Sequence, residues 1–264
     1  MSVMMLLVAL GLAVTATAGE TAREILDRRK ALDETTQHWD DRYQKMKLRI
    51  VDGKGSERSR EIQFYERREP NDERKTLMVL LAPAEVKGIG FLSHNHKERA
   101  ADQWLYLPEF QRSRKITART KNERFVASDL TYHDLELISE LPTWSEDDAA
   151  SKLRGEETLG EVACHVIELA PQREDIAYKR IVVWIGRDDL SPRKLEFYAG
   201  ETEPAKRIEL SDVRRVSAIP LAHRARVETP SAGSRTEIEV EEAGFNEKLD
   251  AEMFTQRTLE RGGR

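Results

Sequence analysis

In SRTEIEVEEA, residues 234–243, Thr236, Ile238 and Val240 alternate with Arg235, Glu237 and Glu239. A period of two puts one set on a packed face and the other in water, as in an antiparallel sheet solvated on one side. The pattern recurs. Met46, Leu48 and Ile50 alternate with Lys45, Lys47 and Arg49; VDGKG then supplies a turn, and Ile62 and Phe64 begin a return strand. Further strands are expected at 75–82, 88–94, 103–107, 164–170, 178–186, 193–199, 206–213 and 221–229, most of them bounded by Gly, Pro, Asn or Asp. In YKRIVVWIG, Ile181, Val183 and Ile185 are matched by Val182 and Trp184, so that strand is expected to be covered on both faces.

Helical spacing occurs twice. Ala22, Ile25, Leu26, Arg29 and Leu32 suit an amphipathic helix with Thr21 as its cap, and a helical middle is expected near 129–153. The fold class is therefore mainly β with some α: a strongly curved antiparallel sheet forming a half-open barrel, with helices packed in or over its concave face. Such a sheet either closes or leaves a concave apolar surface. The alternation does not say which parity lines it.

The first eighteen residues, MSVMMLLVALGLAVTATA, are an uncharged apolar run ending in Ala16-Thr17-Ala18, the small-x-small pattern of a signal-peptide cleavage site. The run from Val3 to Val14 is too short to span a bilayer. Residues 1–18 are expected to be an export signal, residues 19–264 a single exported domain, and the location periplasmic. Cys164 is the only cysteine, so no intramolecular disulfide can form and the fold must rest on an apolar core. Cys164 and His165 would point to opposite faces of a strand, which favours a packed thiol over a joint site.

The net charge of −5 argues against a dedicated nucleic-acid binder. Charge is nevertheless divided: residues 97–124 carry eight basic and four acidic side chains, and residues 129–161 carry ten acids against Lys152 and Arg154. The two stretches are either solvated faces or a field that orients a partner or head group. Chemistry is sparse. There is no GxSxG elbow and no phosphate loop; Ser128, Asp129 and His133 are explained by a helix cap, and His94 and His96 would need further metal ligands that no motif supplies. No catalytic residue, metal or cofactor is expected.

Three stretches carry a resemblance: LLAPAEVKGIGFLSH, DQWLYLPEFQRSRKI and FVASDLTYHDL. Pro83 and Gly88, then Trp104, Tyr106, Leu107 and Pro108, then Arg114 and Ile116, then Phe125, Ser128, Asp129, Tyr132, Asp134 and Leu135 resemble the outer membrane lipoprotein-sorting-like family. That family is similar in fold to the periplasmic lipoprotein carriers LolA and LolB. The sequence departs where the family has F-M-G-S-D-F: Ala127 replaces the glycine, removing a permissive backbone position. The resemblance implies a half-open barrel closed by helices over an apolar cavity for acyl chains, and a possible resistance-nodulation-division (RND) type transporter as membrane partner.

A carrier for a lipid or lipoprotein acyl chain needs no catalysis. Its cavity candidates are Met46, Leu48, Ile50, Phe64, Leu77, Val79, Phe91, Trp104 and Tyr106; Arg112, Arg114 and Lys115 are candidates for a head group or partner, with only transient membrane contact. The alternative is a periplasmic sensor or adaptor working with an envelope or RND-type transporter. An envelope enzyme is a third reading.

Overall fold

The computed structural model describes residues 20–70, 73–97 and 99–262. The expected export signal lies outside the described residues. The first helix, α1 (Ala22–Glu34), starts at a capping box in which Thr21 and Glu24 exchange hydrogen bonds, and it buries Ala22 and Ile25.

Thirteen antiparallel strands follow in one sheet. The first half comprises β1 (Asp41–Val51), β2 (Glu57–Arg68), β3 (Arg74–Ala82), β4 (Gly90–Asn95), β5 (Asp102–Leu107) and β6 (Arg112–Ile116). The second comprises β7 (Ala149–Leu159), β8 (Val162–Pro171), β9 (Arg180–Gly186), β10 (Pro192–Tyr198), β11 (Lys206–Val216), β12 (Ile219–Thr229) and β13 (Ser234–Phe245). Each half is a meander. The spatial order is β6-β5-β4-β3-β2-β1-β13-β12-β11-β10-β9-β8-β7, so β13 returns to pair with β1 while β6 and β7 remain the two edges. The sheet is not closed.

Residues 117–148 therefore run from one edge of the sheet to the other, and they carry α2 (Tyr132–Glu140). The first turn of α2 touches both halves. Gln103 on β5 donates to the Tyr132 carbonyl at 3.2 Å, and Lys206 on β11 forms an ion pair with Asp134. Seven strand spacings separate β5 from β11, roughly 34 Å if the sheet were flat. Two residues of one helical turn cannot reach across that, so the sheet bends around α2.

The face turned toward α2 holds the larger cores. Leu48, Ile62, Met78, Leu80, Phe91 and Leu105 pack with Phe125 and Tyr132 in the first half; Ile167, Ile181, Val183, Phe197 and Ile208 pack with Ile25 and Leu137 in the second. Both faces of β9 are buried, with Ile181, Val183 and Ile185 against the helices and Val182 and Trp184 beside Cys164 on the other side. A short C-terminal helix, α3 (Gln256–Glu260), covers the opposite face of β3 to β6, where Leu259 and Phe254 pack with Leu77, Val79, Leu92 and Tyr106. A Cβ at residue 90 would lie 2.6 Å from Leu259 Cδ1, so any side chain there would displace Leu259 from its seat. Helices thus lie on both faces of the sheet, not on one.

Two features depart from the expected elements. The helical middle is shorter than 129–153, because residues 149–159 form the edge strand β7, and residues 112–116 form the other edge, β6. The cap of α2 is Thr131, which exchanges hydrogen bonds with Asp134; Ser128 instead closes a tight turn with Leu130. Ser128, Asp129 and His133 diverge. Asp129 is directed into the sheet, whereas His133 accepts from the Ala177 amide at 3.3 Å.

Candidate functional site

Cross-strand register arranges the α2-facing side of β1 to β4 in rows. One row runs Ser93, Thr76, Glu66, Arg42; the next runs Phe91, Met78, Phe64, Gln44; a third holds Leu80, Ile62 and Met46. The surface thus grades from polar to apolar along the strands. Above it, the crossing segment contributes Phe125, Leu130, Leu135 and Ile138. Between them lies a cavity of about 220 Å³.

Its apolar wall includes Met46, Leu48, Ile62, Phe64, Met78 and Phe91, closed on the β13 side by Ile238. Its polar end is formed by Arg42, Gln44, Glu66, Thr76, Asn95 and Ser139. Glu66 is almost fully buried and is held by Arg42 and by the Ser139 hydroxyl at 3.0 Å. The guanidinium of Arg42 also lies 5.0 Å from the Phe64 ring centre. Behind this end, Arg42, Arg68 and Arg74 gather around Trp39 at 5.0, 4.1 and 5.6 Å. Arg68 is paired with Asp33 at 2.6 Å, and burial pulls the Arg74 guanidinium below its usual value. Arg42 is paired with Glu66 and Arg68 with Asp33, which leaves the buried Arg74 without an ion pair among the described residues.

Asn95 and Ser139 are shared with an outer recess that contains Arg74, Lys97, Glu140, Asp148 and Arg173. Burial raises the Glu140 carboxyl to about 7, against the opposing pull of Arg173, whose Nη1 donates to it at 2.9 Å. A second cavity of about 190 Å³ lies between α1 and β8 to β11, lined by Leu26, Trp144, Leu169, Val183, Leu195 and Leu210. Ile138 on α2 lines both cavities and forms their common wall.

The sequence-derived candidates divide by parity. Met46, Leu48, Phe64 and Phe91 share the cavity wall, and Ile50 is buried on the same side of β1 but away from that wall. Leu77, Val79, Trp104 and Tyr106 lie on the opposite face, in the cluster with α3. Trp104 makes an edge contact with His94 at 5.1 Å there. Arg112, Arg114 and Lys115 are exposed on edge strand β6; Lys115 pairs with Asp102 at 2.6 Å and Arg114 lies 4.0 Å from Glu123. Phe110, 57 % exposed, precedes them at the tip of the β5 to β6 hairpin. His94 bonds the Phe254 carbonyl and His96 contacts Glu73 and Asp102; among the described residues no group of three or more metal-ligating side chains is assembled.

Among the residues missed from sequence are Ile62 and Met78 on the apolar wall and Arg42, Gln44, Glu66, Thr76, Asn95 and Ser139 at the polar end. A signal existed for Gln44. It occupies an inward position of β1 in register with Met46 and Leu48, where a polar residue breaks the alternation.

A family model described as an uncharacterized protein matches residues 72–261. The chain belongs to that family. Its solved structural neighbours bear out the likeness to outer membrane lipoprotein-sorting-like proteins. One, described as a candidate outer membrane lipoprotein-sorting protein domain from Vibrio parahaemolyticus, is 26 % identical, has a TM-score of 0.81, and aligns over 91 % of this chain and 98 % of its own. A DUF1329 family protein from Desulfovibrio piger aligns over 91 % of this chain and 100 % of its own at 24 % identity, with a TM-score of 0.82. A LolA superfamily protein from Nitrosomonas europaea shares the fold at 16 % identity and a TM-score of 0.66, over 90 % and 98 % of the two chains. No curated protein matches the chain. None of these neighbours is described as the partner of an RND-type transporter.

Proposed function

We propose that the protein is a periplasmic carrier holding a lipid or lipoprotein acyl chain, without catalysis, in a half-open barrel roofed by residues 117–148. Residues 19–264 act as one domain, and residues 1–18 supply its export. The observation that carries this reading is the cavity between the bent sheet and α2, whose long apolar wall is set by strand parity. The Vibrio neighbour's description, which names lipoprotein sorting, supports the same class of cargo.

The energetics suit reversible loading. Each buried methylene contributes about 0.8 kcal/mol, so roughly ten methylenes supply about 8 kcal/mol before ordering costs, enough to hold a chain and still release it. The second apolar cavity beyond Ile138 offers room for a longer or second chain.

The test is native mass spectrometry, with solvent extraction, of protein purified from its own host's envelope fraction. Co-purifying lipid is the expected result. Protein that emerges ligand-free and leaves a fluorescent acyl probe exposed to water overturns the carrier reading.

A further inference from the structure

The polar end of the cavity is built differently from a site that only receives hydrocarbon. Gln44 and Thr76 are 7 % and 5 % exposed, both line the cavity, and neither side chain makes a hydrogen bond. The Nε of Arg42 is likewise buried without a hydrogen-bond partner. Buried polar groups are ordinarily satisfied, and leaving them unpaired is unfavourable. Here a hydroxyl and a carboxamide, neither committed to a protein partner, line one end of an apolar chamber beside a guanidinium whose Nε is unpaired.

What these donors lack is an acceptor. The remaining buried carboxylate, Glu66, is already engaged by Arg42 and Ser139. Arg68 and Arg74 stand behind the same end, Arg68 paired with Asp33 and Arg74 buried beside Trp39 without an ion pair among the described residues. A neutral ester tail would leave the positive field unanswered. A compact anion able to accept several hydrogen bonds would meet both requirements.

We propose that the cavity selects a single-chain amphiphile carrying a carboxylate, a fatty acid in chemical class, with the carboxylate bound by Arg42, Gln44 and Thr76. Its alkyl chain lies along Phe64, Met78 and Ile62 toward Leu48. This rests on the carrier reading and refines its cargo: the head group is buried with the chain instead of remaining in water.

Displacement of a fluorescent acyl probe from delipidated protein separates the two levels. Dodecanoic acid, its methyl ester and dodecyl phosphate serve as competitors at neutral pH. The acid is expected to bind about tenfold tighter than the ester, the scale of a charge-assisted hydrogen bond. Gln44→Leu and Thr76→Val should each erase much of that preference, the acid losing more affinity than the ester. Neither replacement breaks a hydrogen bond within the protein, so an unchanged thermal midpoint distinguishes loss of recognition from loss of fold. Equal affinity for acid and ester overturns the head-group assignment but leaves the carrier reading intact. Tighter binding of the phosphate than of the acid overturns the choice of carboxylate. Failure of all three to displace the probe, or of the probe to bind, removes both readings.

Discussion

Lys206, the first residue of β11, and Asp134, in the first turn of α2, form an ion pair with both side chains buried. The same ammonium donates to the Asp129 carbonyl, and the Tyr178 hydroxyl donates to Asp134 at 2.6 Å. Lys206 thus fastens the crossing segment to the second half of the sheet. Replacing it with Met leaves the Asp134 carboxylate buried against one hydroxyl and its capping contacts, and removing one partner of such a pair costs about 3–5 kcal/mol. Urea denaturation of Lys206→Met is expected to show that loss, with much of it recovered in Lys206→Met/Asp134→Asn. A destabilisation under 1 kcal/mol in the single variant would show that Lys206 does not hold the roof in place.

The turn that leads into α2 carries a second, smaller penalty. Val126 and Ala127 both have left-handed backbone, with φ of 46° and 66°. A left-handed non-glycine residue costs roughly 1–2 kcal/mol, part of which is offset because glycine is freer when unfolded. Ala127→Gly is therefore expected to stabilise the protein by about 0.5–1 kcal/mol, seen as a higher thermal midpoint. A lower midpoint would show that the Ala127 methyl contributes packing that outweighs its backbone.

Glu140 supplies a pH dependence with a defined sign. Burial raises its carboxyl from an ordinary 4.5 to about 7, with Glu136 and Asp175 adding to the rise and Arg173 opposing it. The folded state then holds a proton that the unfolded state has released, so stability is fully present below about pH 4.5 and is lost as pH climbs through 7. The loss is on the order of 3 kcal/mol if Glu140 acts alone. Glu140→Gln should flatten the stability profile between about pH 4.5 and 7. An unchanged slope in that variant would assign the dependence to another group.

Much of the sheet was legible because one-sided burial imposes a period of two, and β1, β2 and β13 display it openly. Edge strands escaped. In β7, Ser151, Lys152, Arg154, Glu156 and Glu157 are solvated on a strand with one neighbour, so no alternation is demanded. In β6, only Ile116 is buried. The cavity was legible as a class of surface but not as a set of residues. Leu77 and Met78 look alike in sequence, yet one meets Phe254 and Leu259 while the other faces Phe91. That parity is decided by the short helix α3 nearly two hundred residues away, whose five residues give little periodicity to read. Asp129 shows the converse case. With Ser128 and His133 it reads from sequence as part of a helix cap, but it accepts from the hydroxyls of Thr229, Ser234 and Thr236, stitching the crossing segment to β12 and β13.

Parity also yields the sharpest test of where a ligand sits, because two aromatic or long apolar candidates fall on opposite faces. Met46 is half-buried and lines the cavity beside Leu48 and Ile62, with free volume in front of it. Met46→Trp fills that space with an indole, and the roof residues Leu135 and Ile138 limit how far it can swing aside. Trp104 packs on the far side of β5, against His94 and beneath α3, where no part of it reaches the chamber. In a probe-binding titration, Met46→Trp is expected to weaken an acyl probe by at least tenfold (about 1.4 kcal/mol), while Trp104→Ala lowers stability and leaves the affinity of the folded protein unchanged. The reverse ranking would move the binding surface to the α3 face and invert the assignment of every strand position in β1 to β5.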